Sequence, residues 1–372
     1  MNWERLNLSP RITAALQKGN LNSAKELLGL SVLELQALTH LSTSDVQQLR
    51  RAAARLYCGA APVRTALDVR NSEPGEKLSL ACPLLDALLH GGLPLCGITE
   101  LSGESGAGKT QLGLQLCLSV QYPAEWGGLG SGAVYICTED AFPIKRLRQL
   151  ITQQPRLRPD IPQALVHSIR FSDNIYIEHT ADLGALQSCI AQRVPVLLSR
   201  GLVRLVVIDS IAALFRSEFQ ADESMERARH LLALSGTLHH LSHSHKVPVF
   251  CINQVTDVID SPNPGRCEFG LVESRILPAL GLAWANQVMV RLMLWRLEGT
   301  VSDGDQSCAP RRLEVVFAPH LPQASCLCGV WLEGVRGIPD VVREDPGAST
   351  LTEALCRPVE RDPEQKDGSM VS

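Results

Sequence analysis

A predominantly parallel α/β sheet is the fold class this chain predicts, on three observations. The run Gly103-Glu104-Ser105-Gly106-Ala107-Gly108-Lys109-Thr110 matches the pattern G-x-x-x-x-G-K-[ST]. From Leu78 to about Gly337, short apolar runs alternate with stretches of helical periodicity. One of those runs, Leu205-Val206-Val207-Ile208, holds no polar residue and ends on Asp209.

Residues 1–58 are rich in Leu and Ala at helical spacing and contain no strand-like run. Ser31 stands three residues before Glu34, and Ser42 three before Asp45, the spacing of helix-capping pairs. A small helical N-terminal domain is expected there. Its basic balance is explained better by a solvated helical face than by direct DNA contact. Residues 59–77 turn polar, with Pro62, Pro74 and Gly75, and read as a linker. The α/β core is expected over 78–339. Its candidate strands are Gly97–Leu101, Ala133–Thr138, Ile175–Glu178, Leu205–Asp209, Val249–Asn253, Gln287–Leu294, Arg312–Phe317 and Cys328–Leu332. The middle runs lack polar interruption, as parallel strands covered on both faces do. The last three follow one another with little helix between them, which predicts an antiparallel extension at one sheet edge. Glu298–Pro310 reads as a surface insertion. Residues 340–372, with Pro346, Pro358 and Pro363 among acids, read as a disordered tail.

Each residue type in the glycine run has a physical task. Glycines allow successive backbone N–H groups to curl around an anion in angles a Cβ would hinder. Gly97-Ile98-Thr99-Glu100-Leu101-Ser102 before it reads as a strand, and the leucine-rich run from Gln111 to Leu118 as a helix, whose N-terminus adds partial positive charge. Gly103, Glu104, Ser105, Gly106, Ala107, Gly108, Lys109 and Thr110 are therefore candidates for holding a nucleoside triphosphate. Lys109 would meet the β- and γ-phosphates, and the Thr110 hydroxyl would meet Mg²⁺. Asp209 lies at a strand's C-terminal end, where ligands of open sheets collect, and would orient the same metal. Glu139, following Val134-Tyr135-Ile136-Cys137-Thr138, is placed to polarise an attacking water. Asn253-Gln254 ends the run Val249-Phe250-Cys251-Ile252 and places neutral amides at a strand end; that one of them touches the γ-phosphate is implied mostly by the resemblance given below.

The net charge of −4 excludes a globally basic nucleic-acid binder, though not a local basic surface. Twelve cysteines are scattered without a C-x-x-C pair, and Cys117, Cys137 and Cys251 lie in apolar runs, so they read as small hydrophobes. No leader pattern and no apolar stretch of membrane length is seen, so the chain is expected to be soluble, intracellular and reduced, with no membrane partner.

The four motifs, in this order and spacing, resemble the RecA/RadA recombinase family over roughly Leu80 to Gly337. The resemblance extends to Leu85-Asp86-Ala87-Leu88-Leu89-His90-Gly91-Gly92-Leu93-Pro94, to Gly97-Ile98-Thr99-Glu100, and to Tyr135-Ile136-Cys137-Thr138-Glu139-Asp140-Ala141-Phe142. It implies a RecA-like P-loop ATPase core with a mostly parallel central sheet and antiparallel edge strands, preceded by a small helical N-terminal domain similar to that of archaeal RadA. It also implies ATP and Mg²⁺ as cofactors, Glu139, Lys109 and Gln254 as catalytic groups, and Arg146 stacked on adenine. Within the family the chain is similar to the eukaryotic recombinase paralogues, on Val194-Pro195-Val196-Leu197-Leu198-Ser199-Arg200-Gly201, Cys251-Ile252-Asn253-Gln254-Val255-Thr256 and Pro278-Ala279-Leu280-Gly281. That likeness implies homologous-recombination repair of DNA double-strand breaks, pairing with another recombinase paralogue, support of the main strand-exchange recombinase's filaments, and processing of four-way junctions. It implies contact with single-stranded and branched DNA mainly as a complex. It also implies a nuclear protein with a cytoplasmic pool.

Departures from the family pattern shape this expectation. The stretch Glu218–Arg227 matching the first mobile DNA loop holds more acids than bases, and the second, about Asp257 to Ile276, is also acidic. His40 sits where related helix-hairpin-helix domains use glycine. Val63-Arg64-Thr65-Ala66 stands where filament formers carry Phe-x-x-Ala; valine fills a phenylalanine pocket less well, at about 1–2 kcal/mol of lost burial. Poor self-polymerisation is expected. An accessory ATP-binding subunit is therefore favoured over an autonomous DNA-dependent ATPase and strand-exchange enzyme. An ATP-holding scaffold without turnover is the third reading.

Overall fold

The computed structural model describes residues 10–18, 24–58, 65–67, 76–257 and 276–339. The chain divides into two compact units, Met1–Pro74 and Gly75–Ser372. The first unit contains helices Pro10–Lys18, Ala24–Gly29, Val32–Thr39 and Thr43–Cys58. Both capping pairs act as their spacing predicts. Ser31 and Glu34 form a reciprocal capping box, and the Asp45 amide donates to Ser42 Oγ at 3.2 Å. Ile12, Leu16, Leu27, Leu35, Val46 and Leu49 share one small core.

His40 ends Val32–Thr39 at φ 51°, the left-handed conformation that glycine adopts without strain, and its amide donates to Gln36 O at 2.9 Å. The position thus keeps a glycine-like backbone while carrying a Cβ. His40→Gly should stabilise this unit by about 0.5–1 kcal/mol, since relief of the left-handed penalty exceeds glycine's entropic cost. Slower hydrogen exchange at Leu35 and Val46 would register the gain, and faster exchange would contradict it.

In the second unit the strands are β1 (Lys77–Leu78), β2 (Leu93–Pro94), β3 (Ile98–Gly103), β4 (Gly132–Cys137), β5 (Ile175–His179), β6 (Val203–Asp209), β7 (Val249–Asn253), β8 (Val255–Asp257), β9 (Ile276–Pro278), β10 (Val290–Arg296), β11 (Val301–Asp303), β12 (Gln306–Cys308), β13 (Arg311–Phe317), β14 (Ser325–Val330) and β15 (Val335–Gly337). Among the described residues, nine of them form one sheet in the order β15-β14-β13-β10-β3-β7-β6-β4-β5. Pairing is parallel from β10 across to β5 and antiparallel from β10 out to β15.

The sheet is built by period-two alternation with both faces covered. Leu101, Tyr135, Val207 and Ile252 pack into one core with the helix Lys109–Ser119. Ile98, Ile136, Ile208 and Cys251 pack into the other with the helix Ser224–His245. Burial pushes the Cys137 thiol up to about 12, so it behaves as a small hydrophobe in its strand. The parallel registers align Ser102 with Asn253, and Cys137 with Asp209, so the chemistry-bearing strand ends meet along one edge. Inside the sheet, Glu100 is fully buried and accepts from Asn253 Nδ2 at 2.6 Å, Trp284 Nε1 at 2.9 Å and Arg291 Nε at 2.5 Å.

Two local expectations change, and a third gains detail. The apolar run near Gln287 forms β10, which lies parallel to β3, so the antiparallel edge consists of β13, β14 and β15. Length decides this: the helix Gly281–Ala285 buries Trp284 and carries the chain back to the start of β3. The last predicted strand stops at Val330, because Trp331–Gly334 turns sharply before β15, with Trp331 N donating to Gly334 O at 2.8 Å. The surface insertion at Glu298–Pro310 contains the hairpin β11–β12, which folds against that turn. The linker motif at Val63-Arg64, the second acidic stretch over 258–275 and the tail over 340–372 lie outside the described residues.

Candidate nucleotide site

A cleft of about 950 Å³ opens at the C-terminal ends of β3, β4, β6 and β7. The turn after β3 is Gly103–Gly108, and the helix Lys109–Ser119 starts directly behind it. Gly108 holds φ 111°, and a Cβ there would lie 3.1 Å from Val330 Cγ2, so both backbone angle and space call for glycine. Gly103, Ser105, Gly106, Gly108, Lys109 and Thr110 line the cleft. Glu104 and Ala107 serve through their backbones: Lys109 Nζ donates to Gly103 O at 2.7 Å and Glu104 O at 2.8 Å, and Arg311 Nε donates to Ala107 O at 2.7 Å. Burial holds the Lys109 ammonium below its ordinary pKa, while the Asp209, Glu139 and Glu104 carboxylates pull the other way. A desolvated ammonium satisfied only by neutral carbonyls is well suited to exchange them for phosphate oxygens.

Across the cleft, Asp209 Oδ2 accepts from Thr110 Oγ1 at 2.7 Å and from Tyr135 OH at 2.5 Å. Burial first, and then Asp209, push the Tyr135 hydroxyl well up, so it stays a proton donor to that carboxylate. A hydroxyl and a carboxylate are the hard oxygen donors that Mg²⁺ takes, and here they already touch. The glycine cradle, Lys109 and this pair fit a magnesium-bound triphosphate.

Glu139 Oε1 accepts from Ser210 Oγ at 2.9 Å and from Gln254 Nε2. Gln254 Oε1 in turn accepts from Arg216 Nη1 at 2.5 Å. The structure thus gathers Glu139, Gln254, Asp209, Lys109 and Thr110 around one cleft. Asn253 is turned away into the sheet, where it bonds Glu100. Arg146 lines the cleft's other end. Its Nε donates to Gln111 Oε1 at 2.6 Å, Nη2 to Trp331 O at 2.6 Å and Nη1 to Leu332 O at 3.0 Å. Its guanidinium is therefore held in a fixed plane.

Sequence reasoning missed Tyr135 as the buried partner of Asp209, and Arg216, Arg311 and the segment Asp305–Ser307 as groups lining the cleft. Only Tyr135 had a signal, since it sits two residues before the end of a strand neighbouring Asp209. The charged residues lining the cleft balance: Lys109, Arg146, Arg216 and Arg311 face Glu139, Asp140, Asp209 and Asp305. Four cations against four carboxylates leave the side-chain lining neutral in sum, so attraction for a triphosphate rests on the local cradle amides, Lys109 and the metal. In the first acidic stretch, Glu218 Oε1 accepts the Leu183 amide at 2.7 Å and Glu223 Oε2 the Gln220 amide at 2.7 Å. Two of its acids thus fasten backbone.

A glycine cradle at the end of a parallel strand, facing a carboxylate at the end of the strand two places along the sheet, defines a phosphate-loop nucleotide-binding protein with a RecA-like sheet. A family model described as Rad51 matches residues 77–338, and one described as an XRCC3/RpoA-like helix-hairpin-helix domain matches residues 3–57. The chain belongs to the Rad51 family. It is 52% identical to the DNA repair protein XRCC3 of Mus musculus, covering 91% of this chain and 99% of that protein. It is 35% identical to the DNA repair protein XRCC3 homolog of Arabidopsis thaliana, over 73% of this chain and 96% of that one. Similarity to the DNA repair protein RAD51 homolog 2 of Homo sapiens is 29% identity over 79% of this chain and 80% of the relative.

Proposed function

We propose that this chain is an ATP- and Mg²⁺-binding recombinase paralogue that acts in homologous-recombination repair of DNA double-strand breaks. It works in the nucleus, with a cytoplasmic pool, as a hetero-oligomer with another recombinase paralogue. In that assembly it supports filaments of the main strand-exchange recombinase and the processing of four-way junctions, meeting single-stranded and branched DNA mainly through the complex. One observation carries the reading: an intact phosphate loop whose Lys109 and Thr110 face Asp209, Glu139 and Gln254 in one cleft. Membership of the Rad51 family and relatives named as DNA repair proteins support the setting.

In this reading Thr110 and Asp209 hold the magnesium, whose chemistry is to neutralise charge on the phosphates. Lys109 and the amides of Gly103–Thr110 fix the triphosphate, and Arg146, clamped by Trp331 O and Leu332 O, offers its face to adenine. Glu139 receives the proton of the attacking water. Gln254 lies between Glu139 and Arg216, so a change at the γ-phosphate end reaches the helix Ile211–Ser217 that leads into the first loop.

Glu139→Gln should leave ATP affinity within about threefold while lowering hydrolysis by about 100-fold or more, the range of a lost general base. An ATPase assay of the chain co-purified with its paralogue, with and without DNA, tests this. Undiminished turnover in the variant would remove Glu139 from the chemistry, and no turnover in the unaltered complex would favour the ATP-holding scaffold. The chain alone should bind DNA weakly, with affinity falling steeply as salt rises. Tight, salt-insensitive binding would contradict that.

A further inference from the structure

The hairpin β11–β12 is fastened to the cleft by an arrangement a surface loop does not need. Gln306 Oε1 accepts the Leu332 amide at 2.8 Å, and Gln306 Nε2 donates to Glu333 Oε2 at 3.0 Å. The Glu333 side chain is only 1% exposed and pairs with Arg336 Nη2 at 2.7 Å. Arg336 Nη2 also reaches Asp303 Oδ2 on the other hairpin strand at 2.5 Å. Burying a carboxylate is costly unless it is paired and hydrogen-bonded, and here both partners hold the hairpin in place. Leu332 is the common link: Gln306 takes its amide while Arg146 donates to its carbonyl. Through Leu332 the hairpin is thereby tied to Arg146 in the cleft. Asp305 and Ser307, on either side of the anchor, line that cleft, and the Asp305 side chain is 85% exposed with Arg156 Nη2 3.9 Å away.

We propose that β11–β12 is the nucleoside-side wall of the site, anchored by Gln306, and that the Asp305 carboxylate accepts hydrogen bonds from the sugar hydroxyls of the bound nucleotide while the Ser307 hydroxyl donates to and accepts from them. This rests on the reading of the cleft as an ATP site. A carboxylate is the group that tells a ribose from a deoxyribose, because it accepts from the 2′-hydroxyl. With Arg146 fixed against the base, the sugar lies between it and the phosphates, within the span the hairpin covers. The wall is supplied by this chain itself, independent of any subunit across the cleft.

Calorimetric titration of the full-length protein with ATP and with 2′-deoxy-ATP, each with excess magnesium, tests the proposal. The unaltered protein should prefer ATP by about fivefold, the value of one hydrogen bond to a charged group in a partly wet site. The double variant Asp305→Ala/Ser307→Ala should lose that preference. Gln306→Ala should weaken both nucleotides by about tenfold, since it frees the whole wall. Because Asp305 and Ser307 are exposed, the double variant folds even if Gln306→Ala does not. Equal affinity of the unaltered protein for the two nucleotides, a preference retained in the double variant, or a folded Gln306→Ala with unchanged affinities would overturn the hairpin's role while leaving the phosphate-loop reading intact. Absence of ATP binding by the unaltered protein would overturn both.

Discussion

Lys109→Ala is expected to reduce affinity for magnesium-bound ATP by about 100-fold or more, corresponding to at least about 2.7 kcal/mol of lost charge-assisted hydrogen bonds. The side chain is already desolvated and already holds two acceptors, Gly103 O at 2.7 Å and Glu104 O at 2.8 Å. It therefore spends no further burial on meeting phosphate. The fold should survive, because those two carbonyls border the cleft and water can replace the ammonium. In the proposed paralogue assembly, any dependence of partner exchange on ATP should disappear with the affinity. Calorimetry gives the first quantity, and exchange kinetics of the assembled complex the second. A variant that binds ATP as the unaltered protein does would remove Lys109 from the phosphate site, and unchanged exchange would argue against an ATP cycle.

Glu100→Ala should destabilise the α/β unit by about 3–5 kcal/mol, the cost of removing one partner from a buried charged pair. The Arg291 side chain, 17% exposed, would be left without its carboxylate, and Trp284 Nε1 and Asn253 Nδ2 would lose their acceptor as well. Against a total stability of about 5–15 kcal/mol, that loss moves a measurable fraction of the protein toward the unfolded state. Glu100→Gln, which keeps the shape and an acceptor oxygen, should cost less. The effect would also reach the cleft, since Asn253 directly precedes Gln254. Chemical denaturation reads the difference, and a loss below about 1 kcal/mol for the alanine variant would mean that the pair contributes little net stability.

Much of the candidate nucleotide site was legible because its parts are local. A phosphate loop is one continuous segment whose glycines and lysine act through adjacent backbone, and Asp209 is announced by the apolar strand that it ends. The capping pairs at Ser31 and Ser42 were equally readable, as each spans one helical turn. Groups that reach the cleft from distant segments carry no such signature. Arg216 contacts Gln254 across 38 positions, and Arg146 contacts Trp331 across 185. An arginine on an exposed helix gives no sign of which carbonyl or amide it will meet. The segment Val301–Cys308 is exposed at the surface, as its polar composition suggests, but its attachment through Gln306 to Leu332 and Glu333 had no sequence signal for a related reason.

Alternation of apolar and helical segments, the glycine–lysine run and the acidic strand ends were sufficient to specify a parallel sheet with a polyphosphate cradle at one edge. These are short-range properties, fixed by backbone geometry within a few residues of each motif. Strand order, the parallel placement of β10, the inward turn of Asn253 and the wall around Arg146 were decided only in three dimensions. They depend on which buried polar group finds which partner, as Glu100 finds Arg291 across 191 positions, and that pairing exists only once the layers have packed.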